Sequence, residues 1–395
     1  MNTEAASSPK LTYSPSPRFE REIDNVIDTA LALNRIVGAV VLVAQRGDIV
    51  YRRAAGFADR ESRRPMRPDT IFRLASVSKP IVSVAALALI EQAKLGLDDP
   101  VTKWLPEFRP RLSDGSEPVI TVRHLLTHTA GLTYGFKQAS DRTYHQAKVS
   151  DGLDQPGLSM TENLQRICSV PLLFPPGSSF QYSIAIDVLG AVLERVFGKP
   201  LPEVTAALVS GPLKLNDTGF SVQDRDRLAA AYMDAPLIPA RMQDNQLVPN
   251  PPDLLSFSPN RIFNSASFPS GGTGMAGTAT DFVVLLETLR TGGSPVLKQK
   301  TVDAMTTNQI GDYLIDPEKP GWGFGFGGSV LTDPAVAQTP QSKGTYAWGG
   351  AYGHTWFVDP QLELSVVAFT NTTPEGTGGI FPLALRDAIY RSLPE

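Results

Sequence analysis

The chain has 395 residues, enough to bury a large core in one to three domains. Its net charge of −4, without a long basic run, argues against nucleic acid or an anionic membrane surface as a partner. A single cysteine, Cys168, excludes an intrachain disulfide and a thiolate metal cluster. The histidines are scattered and no His-Glu-x-x-His motif occurs, so neither a metal nor another cofactor is predicted.

The N-terminal part begins with a polar stretch and continues into regular elements. Residues 1–18 are rich in proline and serine and lack the basic and apolar regions of a secretory signal, which predicts a flexible leader on a cytoplasmic protein. Helical spacing follows over 18–32. Two β-rich runs, 37–44 and 49–55, then flank a short polar turn and predict a hairpin.

The stretch 72–80 combines a serine, a lysine and a proline at the start of an apolar run. Because Pro80 is tolerated only near a helix start, Ser76 is predicted at or beside the N-terminus of a helix that ends near Gly96. Lys79 then lies one turn away on the same face. The apolar run predicts a buried helix, whose surroundings would disfavour the charged form of this lysine. The run is too short to span a bilayer.

The middle of the chain, 81–264, is mostly helical in its spacing. It includes a short helix over 121–127 and a longer helix that Tyr182 opens and Gly198 closes. Prolines recur over 234–259, which we interpret as an extended excursion outside the core.

The last third changes to β-rich runs joined by tight turns, followed by a final helix over 381–393. The four predicted strands cover 322–331, 345–350, 354–358 and 362–369.

The simplest architecture is an α/β (α+β) fold with one antiparallel sheet. The N-terminal hairpin and the C-terminal meander form this sheet, and the two terminal helices cover one face. Residues 19–80 and 265–395 then make one domain, and 81–264 make a second, mostly helical domain. Ser76 lies near the seam between them, where active sites are commonly found.

Two glycine patterns have the spacing of dinucleotide-binding loops, Gly272-x-Gly274-x-x-Gly277 and Gly323-x-Gly325-x-x-Gly328. Neither opens a βαβ unit, which argues against a nucleotide site. We interpret the first as a turn that serves backbone geometry.

A second serine, Ser150, lies in an incomplete nucleophile elbow, because Lys148 stands where the first glycine belongs. A triad of Ser150 with His354 or His128 is the alternative nucleophile. On its own, His128 is interpreted as a structural residue whose ring is satisfied inside its loop.

Five motifs occur in the order seen in the serine β-lactamase-like superfamily. The chain most resembles its family VIII carboxylesterases, which are similar in fold to class C β-lactamases and DD-peptidases, over about residues 20–392. The motifs are Ser76-x-x-Lys79, His128-Thr129-Ala130-Gly131-Leu132, Tyr182-Ser183, Gly271-Gly272-Thr273-Gly274-Met275 and Trp348-Gly349-Gly350.

The resemblance implies a role for each matching residue. Ser76 is the acylated nucleophile, and Lys79 and Tyr182 together take its proton and later activate water. An amine and a phenol in contact in a partly dry cleft can share one proton, which provides a base near neutral pH. The backbone N–H groups of Ser76 and Ala351 form the oxyanion hole. The predicted substrate contacts are Trp348, Gly349, Gly350 and Tyr352.

Two departures from the lactamase pattern bear on the substrate. The Lys-Thr-Gly strand of the lactamases is replaced by Trp348-Gly349-Gly350, and Ile184 stands where a polar residue follows the tyrosine. Both changes make the pocket less polar and less cationic, which favours a neutral ester over an anionic β-lactam. The predicted activity is hydrolysis of short-chain neutral carboxylic esters through an acyl-enzyme. The predicted partner is therefore a small-molecule ester. The sequence does not predict the oligomeric state.

Two alternatives stay open. One is a β-lactamase, amidase or acyltransferase of the same fold. The other is a catalytically inactive, penicillin-recognising scaffold that serves for binding.

Overall fold

The computed structural model describes residues 16–138, 142–250 and 253–393. Most of the predicted leader, 1–18, therefore lies outside the described residues. Its last residues belong to the first helix, where Pro17 occupies the first turn and the Ser16 hydroxyl accepts a hydrogen bond from the Phe19 N–H. Within the described ranges, no helix is long and apolar enough to cross a membrane.

The strands alternate with long helical and loop segments along the chain. Their bounds are β1 Gly38–Gln45, β2 Asp48–Asp59, β3 Arg64–Pro65, β4 Ile71–Arg73, β5 Tyr232–Met233, β6 Ala240–Arg241, β7 Gln246–Asn250, β8 Asp253–Phe257, β9 Ala276–Thr278, β10 Trp322–Phe324, β11 Ser329–Leu331, β12 Tyr346–Gly350, β13 His354–Asp359, β14 Leu364–Thr370 and β15 Thr372–Thr373.

The main sheet of the described residues is antiparallel, in the order β10-β11-β12-β13-β14-β1-β2-β3. The N-terminal hairpin and the C-terminal meander thus form one sheet, as the sequence predicts. The single strand expected over 322–331 is wrong, because the chain turns back in its middle. Gly325 N–H bonds to Gly328 O over 2.9 Å, and Gly327 takes a φ of +89°, which glycine adopts without strain.

The helices concentrate between β4 and β10 and at the two ends of the described chain. Their bounds are α1 Pro17–Ala32, α2 Ser78–Glu91, α3 Val122–Leu126, α4 Thr143–Gln146, α5 Met160–Cys168, α6 Ala185–Phe197, α7 Leu201–Thr205, α8 Gly211–Leu213, α9 Ala279–Arg290, α10 Gln299–Met305, α11 Glu375–Gly378 and α12 Ile380–Ser392.

Both faces of β1 are buried, because successive side chains of a strand point to opposite faces and each face is covered. Val41 and Val43 pack with the terminal helices α1 and α12, which contribute Ile23 and Leu385. Val40, Leu42 and Ala44 belong to the larger core of the helical region. The predicted placement of both terminal helices on one face agrees with this packing.

Helix α2 lies inside the larger core, and every residue from Ser78 to Leu89 is buried. It ends at Glu91, earlier than the predicted end near Gly96. The reason is local: Ala93 adopts a left-handed backbone with a φ of +55°, and Lys94 N–H bonds back to Leu89 O over 3.0 Å.

Part of the proline-rich segment 234–259 is buried in a small apolar cluster beside the larger core, although the sequence pattern indicates that the segment lies outside the core. Val248, Leu255 and Phe257 of the β7–β8 hairpin are buried in one cluster with Ala75 and Tyr352. Proline limits which backbone groups can pair, but alternate side chains of the hairpin still face inward.

Candidate active site

The candidate nucleophile segment is a strained turn between β4 and α2. It contains one turn of 3₁₀ helix, Ala75–Val77, in which Ala75 takes a left-handed φ of +45°. Leu74 N–H anchors the turn by a 2.8 Å hydrogen bond to Met275 O. Ser76 therefore lies at the positive end of a buried helix, and 9% of it remains exposed.

Lys79 and Tyr182 both reach the Ser76 hydroxyl. Lys79 Nζ lies 3.0 Å and Tyr182 OH 2.6 Å from Ser76 Oγ. Lys79 is fully buried, and its Nζ also lies 4.7 Å from the centre of the Tyr182 ring. The structure thus brings together the three residues that the sequence selects for catalysis.

Tyr182 is held by aromatic neighbours and by one hydrogen bond. It lies before α6, which begins at Ala185, so Tyr182 does not open the helix as predicted. Its ring centre is 4.9 Å from that of His128 and 5.0 Å from that of Trp348. Trp348 Nε1 donates to Tyr182 OH over 3.2 Å, which orients the phenol. This contact is not predictable from the sequence, because no local pattern pairs β12 with the segment before α6.

His128 holds Ser183, the residue that follows Tyr182, by hydrogen bonds. Its Nδ1 accepts a 3.2 Å hydrogen bond from the Ser183 N–H and lies 3.1 Å from Ser183 Oγ. Burial, together with the nearby charge of Lys79, holds the pKa of His128 well below its usual value. A neutral His128 therefore holds the residue next to Tyr182. The prediction that its ring is satisfied inside its own loop is wrong, because Nδ1 bonds to the distant Ser183 and the buried Nε2 has no hydrogen-bond partner among the described residues.

The residues of the alternative triad are engaged elsewhere. Ser150 Oγ donates to Asp154 Oδ1 over 2.5 Å. His354 Nε2 donates to Arg73 O over 2.8 Å, and burial lowers the pKa of His354 to about 4. Since His128 is bound to Ser183, the geometry gives no support to a triad built on Ser150.

The glycine turn before β9 holds the lysine. Lys79 Nζ donates to Gly272 O over 2.9 Å. A Cβ at position 272 would lie 2.7 Å from Asp187 Oδ2, so only glycine fits there without displacing the carboxyl group. The buried Asp187 accepts hydrogen bonds from Ser270 Oγ and the Gly272 N–H, and burial raises its pKa. The turn therefore also serves the site, beyond the backbone role that we assigned to it from the sequence.

The end of β12 packs against the candidate nucleophile segment. A Cβ at Gly350 would lie 2.4 Å from Leu74 O, and Thr377 Oγ1 donates to Gly350 O over 2.7 Å. Ala351, in the following turn, packs in the same apolar cluster as Ala75. This placement is compatible with an oxyanion hole formed by the N–H groups of Ser76 and Ala351, which stays a prediction.

The predicted substrate contacts divide between two places. Trp348 lies beside Tyr182 and packs edge-on against Phe324, with ring centres 5.3 Å apart. Tyr352 instead packs against Phe257, with ring centres 4.9 Å apart, and is buried. The structure thus places the indole, but not the Tyr352 ring, against the candidate base.

The close approach of Gly350 to the nucleophile segment makes a testable prediction. A Gly350→Ala change should lower kcat/KM for an ester by about 100-fold, because a displacement of about 1 Å at a reacting centre costs this much. Overpacking should also lower the free energy of unfolding by about 1–3 kcal/mol. Ester kinetics and urea unfolding measure the two effects. Gly378→Ala is the matched control, because a Cβ there has no neighbour within 4 Å. Equal activity of the two variants would contradict the proposed packing.

The family of this chain follows from its match to a protein-family model. The β-lactamase model matches residues 23–388. The chain belongs to the β-lactamase family. Among the residues that the structure describes, no group of three or more histidine, cysteine or acidic side chains could hold a metal ion.

Relatives cover nearly the whole chain. Esterase EstB from Burkholderia gladioli is 48% identical over 391 residues, 98% of this chain and 99% of EstB. The solved structure of EstCE1, described as a hydrolase with promiscuous acyltransferase activity, has a TM-score of 0.92 and 47% identity over 94% of this chain and 98% of EstCE1. Acyltransferase calJ from Penicillium decumbens is 28% identical over 85% of this chain and 84% of calJ. The resemblance and the fold class predicted from the sequence are thus confirmed.

Proposed function

We propose that the protein is a serine carboxylesterase that hydrolyses short-chain neutral esters through an acyl-enzyme. The convergence of Lys79 Nζ and Tyr182 OH on Ser76 Oγ, at 3.0 and 2.6 Å, is the observation that carries this proposal. A nucleophile within hydrogen-bond reach of a base, with the base oriented by further groups, is the arrangement needed for acyl transfer. The 48% identity to a protein named an esterase supports the choice of reaction.

In the proposed reaction, Ser76 Oγ attacks the ester carbonyl carbon while its proton passes to the pair formed by Lys79 and Tyr182. The N–H groups of Ser76 and Ala351 stabilise the oxyanion of the tetrahedral intermediate, each by about 3 kcal/mol. The pair then gives the proton to the departing alcohol. Water, activated by the same pair, releases the acid and restores the Ser76 hydroxyl.

The indole of Trp348 supports a neutral ester as substrate. It occupies the strand position at which the lactamase pattern has a lysine, so the carboxylate of a penicillin would lose a charge-assisted contact there. Its ring, together with Phe324, Phe180 and Ile310, forms an apolar cluster beside Tyr182. Such a wall suits the carbon atoms of an acyl or alcohol group.

We expect higher kcat/KM for p-nitrophenyl butyrate than for ampicillin or nitrocefin. Loss of the cationic contact should weaken β-lactam binding by about 10- to 100-fold relative to a lactamase. A panel of p-nitrophenyl esters run beside both β-lactams measures the ratio. A higher kcat/KM for either β-lactam would overturn the ester assignment.

Two Trp348 variants distinguish the apolar contact that the indole ring offers to the substrate from the hydrogen bond that its N–H donates to Tyr182 OH. Trp348→Phe keeps an aromatic ring but removes the N–H that donates to Tyr182 OH. We expect a loss in kcat of about tenfold, because one hydrogen bond to the base is removed. Trp348→Ala should lower kcat further and also raise KM for the ester. If both variants turn over esters like the wild type, Trp348 has neither role.

Acyl transfer to an alcohol is the second candidate reaction, because EstCE1, which is 47% identical to this chain, is described as having promiscuous acyltransferase activity. The acyl-enzyme would then react with an alcohol in place of water. Product analysis with butyrate esters in water and in methanol mixtures tests it: methyl butyrate formed beside butyric acid supports transfer, and butyric acid as the sole product contradicts it.

The remaining sequence predictions concern location and partners. We propose a cytoplasmic location and a small-molecule ester as the partner, and the name of EstB supports the ester. Cell fractionation of the native host, followed by esterase assay of each fraction, tests the location.

A further inference from the structure

A cavity separate from the three candidate catalytic side chains lies among β4, the turn after β12 and the segment 258–262. It encloses about 290 Å³, part of which is open to solvent, and its narrow interior has room for little more than one water-sized group. Its polar side chains are those of Arg73, Arg261, Tyr352, Ser258 and Thr273. The hydroxyl groups of Ser258 and Thr273 already form hydrogen bonds to other residues of the chain, so the two arginines and the tyrosine decide the chemistry of the cavity.

Arg73 enters the cavity from β4 without a carboxylate partner. Its Nε donates to Pro259 O over 2.7 Å, and its Nη1 donates to Ala229 O over 2.8 Å. Both acceptors are neutral backbone carbonyls. Within the described residues, Nη2 of Arg73 makes no hydrogen bond. Burial lowers the pKa of this guanidinium.

Arg261 has the same kind of surroundings. It is 7% exposed, and its Nε and Nη2 donate to Asp154 O over 3.0 Å and to Phe268 O over 2.8 Å. No ion pair of Arg261 occurs among the described residues, and its Nη1 makes no hydrogen bond to them. Burial lowers the pKa of this guanidinium too. Buried charges in proteins are normally in direct contact with an opposite charge. Neither the half-buried Arg73 nor the buried Arg261 has such a contact among the described residues, and Asp187 and Asp154 favour the charged form of Arg261 without forming an ion pair with it.

Tyr352 adds a third free donor. Its hydroxyl makes no hydrogen bond to the described part of the chain, and burial raises its pKa to about 12, so the proton stays on the oxygen at neutral pH. Asp244 is the carboxylate that interacts electrostatically with Arg73 and Tyr352. Its two oxygens already accept hydrogen bonds from Asn260, at 2.9 and 3.0 Å. Asp244 is not among the residues that line the cavity.

We propose that this cavity binds one compact monoanion, of the size of a halide or a carboxylate head group, among Arg73, Arg261 and Tyr352. The three free donors supply charge-assisted hydrogen bonds, and the small interior excludes bulky anions. This site goes beyond ester hydrolysis. Because Tyr352 follows Ala351 and Arg73 precedes Ser76 by three residues, the anion ties the candidate oxyanion turn to the strand that leads to the nucleophile.

The anion has two chemical sources. It is either a free ion such as chloride, or the carboxylate of an acidic substrate or product. The donors recognise both in the same way, so kinetics must distinguish them.

Crystals of the full chain grown with sodium bromide test the site directly. We expect one anomalous bromide peak among Arg73 Nη2, Arg261 Nη1 and Tyr352 OH. In solution, replacing bulky gluconate by chloride or formate at constant ionic strength should raise Tm by about 2 °C or more. Both readouts need no turnover, so a failure of the proposed esterase activity does not affect them.

Variants make the assignment specific. Arg73→Met should abolish the anion-dependent shift in Tm, whereas Arg67→Met removes the same charge at the surface, outside the cavity lining, and should retain the shift. Because Arg73→Met also removes two bonds to the backbone, Tyr352→Phe serves as a second variant, in which half-saturation should need about tenfold more anion. Water alone in the cavity, with equal Tm in all three salts, would overturn the proposal.

The source follows from competition. Chloride or formate that inhibits hydrolysis of mono-p-nitrophenyl glutarate but not of p-nitrophenyl butyrate assigns the site to a substrate carboxylate. A Tm shift without such competition assigns it to a free anion. Both outcomes support the anion site.

Discussion

Ser76→Ala should abolish covalent labelling by a fluorophosphonate and lower ester turnover by about 10³-fold or more. The wild-type protein should gain the mass of one adduct, because a single hydroxyl has a lysine at 3.0 Å and a phenol at 2.6 Å. The change removes one oxygen from a residue that is 9% exposed, so folding should survive. Intact-mass spectrometry before and after treatment measures the adduct.

Ser150→Ala is the matched control for this experiment. Ser150 is also buried, and its hydroxyl donates to Asp154 Oδ1 at 2.5 Å. Neither Lys79 nor Tyr182 takes part in this hydrogen bond. This variant should keep both the adduct and the activity, apart from any loss of folded protein. An adduct that persists in Ser76→Ala and disappears in Ser150→Ala would reverse the assignment of the nucleophile.

Much of this site is predictable because its parts are local in sequence. Ser76 and Lys79 are one helical turn apart, and Pro80 fixes where that turn begins. The order of the hairpin and the meander likewise predicts a single sheet, since antiparallel neighbours can be joined by tight turns. Tyr182 is different, because only its place in the series of family motifs singles it out before the structure brings its hydroxyl to Ser76.

The contacts that the sequence does not predict join distant segments through single atoms. Trp348 Nε1 meets Tyr182 OH across 166 positions, and Lys79 Nζ meets Gly272 O across 193 positions. The contact of Lys79 with a backbone carbonyl does not depend on the side chain at position 272, so the type of residue there does not predict it. Position 272 must nevertheless be glycine, because a Cβ there would collide with Asp187.

The proline-rich segment shows a second limit of prediction from patterns. Proline frequency indicates where backbone pairing is restricted, but burial depends on what the opposite surface offers. Phe257 is fully buried because Tyr352 and Ala75 present an apolar surface to it. The same segment supplies Pro259 O to Arg73 and so helps to build the cavity beside the site.

The proposed base should behave as one unit, which a double-mutant cycle can measure. Lys79→Met keeps an apolar side chain of similar length, and Tyr182→Phe removes a single hydroxyl. Each should lower kcat by roughly 10³-fold or more, because either change removes part of the base that accepts the proton of the Ser76 hydroxyl. The double variant should then be little slower than the slower single variant, because the second change removes a group that no longer acts.

A control must separate loss of the base from loss of packing. Tyr346→Phe also removes a buried tyrosine hydroxyl, which donates to Phe326 O over 2.8 Å away from Ser76, so it reports the general cost of such a change. It should lower the free energy of unfolding by about 1 kcal/mol while kcat stays near the wild-type value. Trp348 Nε1 loses its acceptor in Tyr182→Phe, so urea unfolding of every variant must accompany the kinetics. If the losses in kcat multiply in the double variant, Lys79 and Tyr182 act independently, and the shared-proton mechanism proposed for Ser76 is wrong.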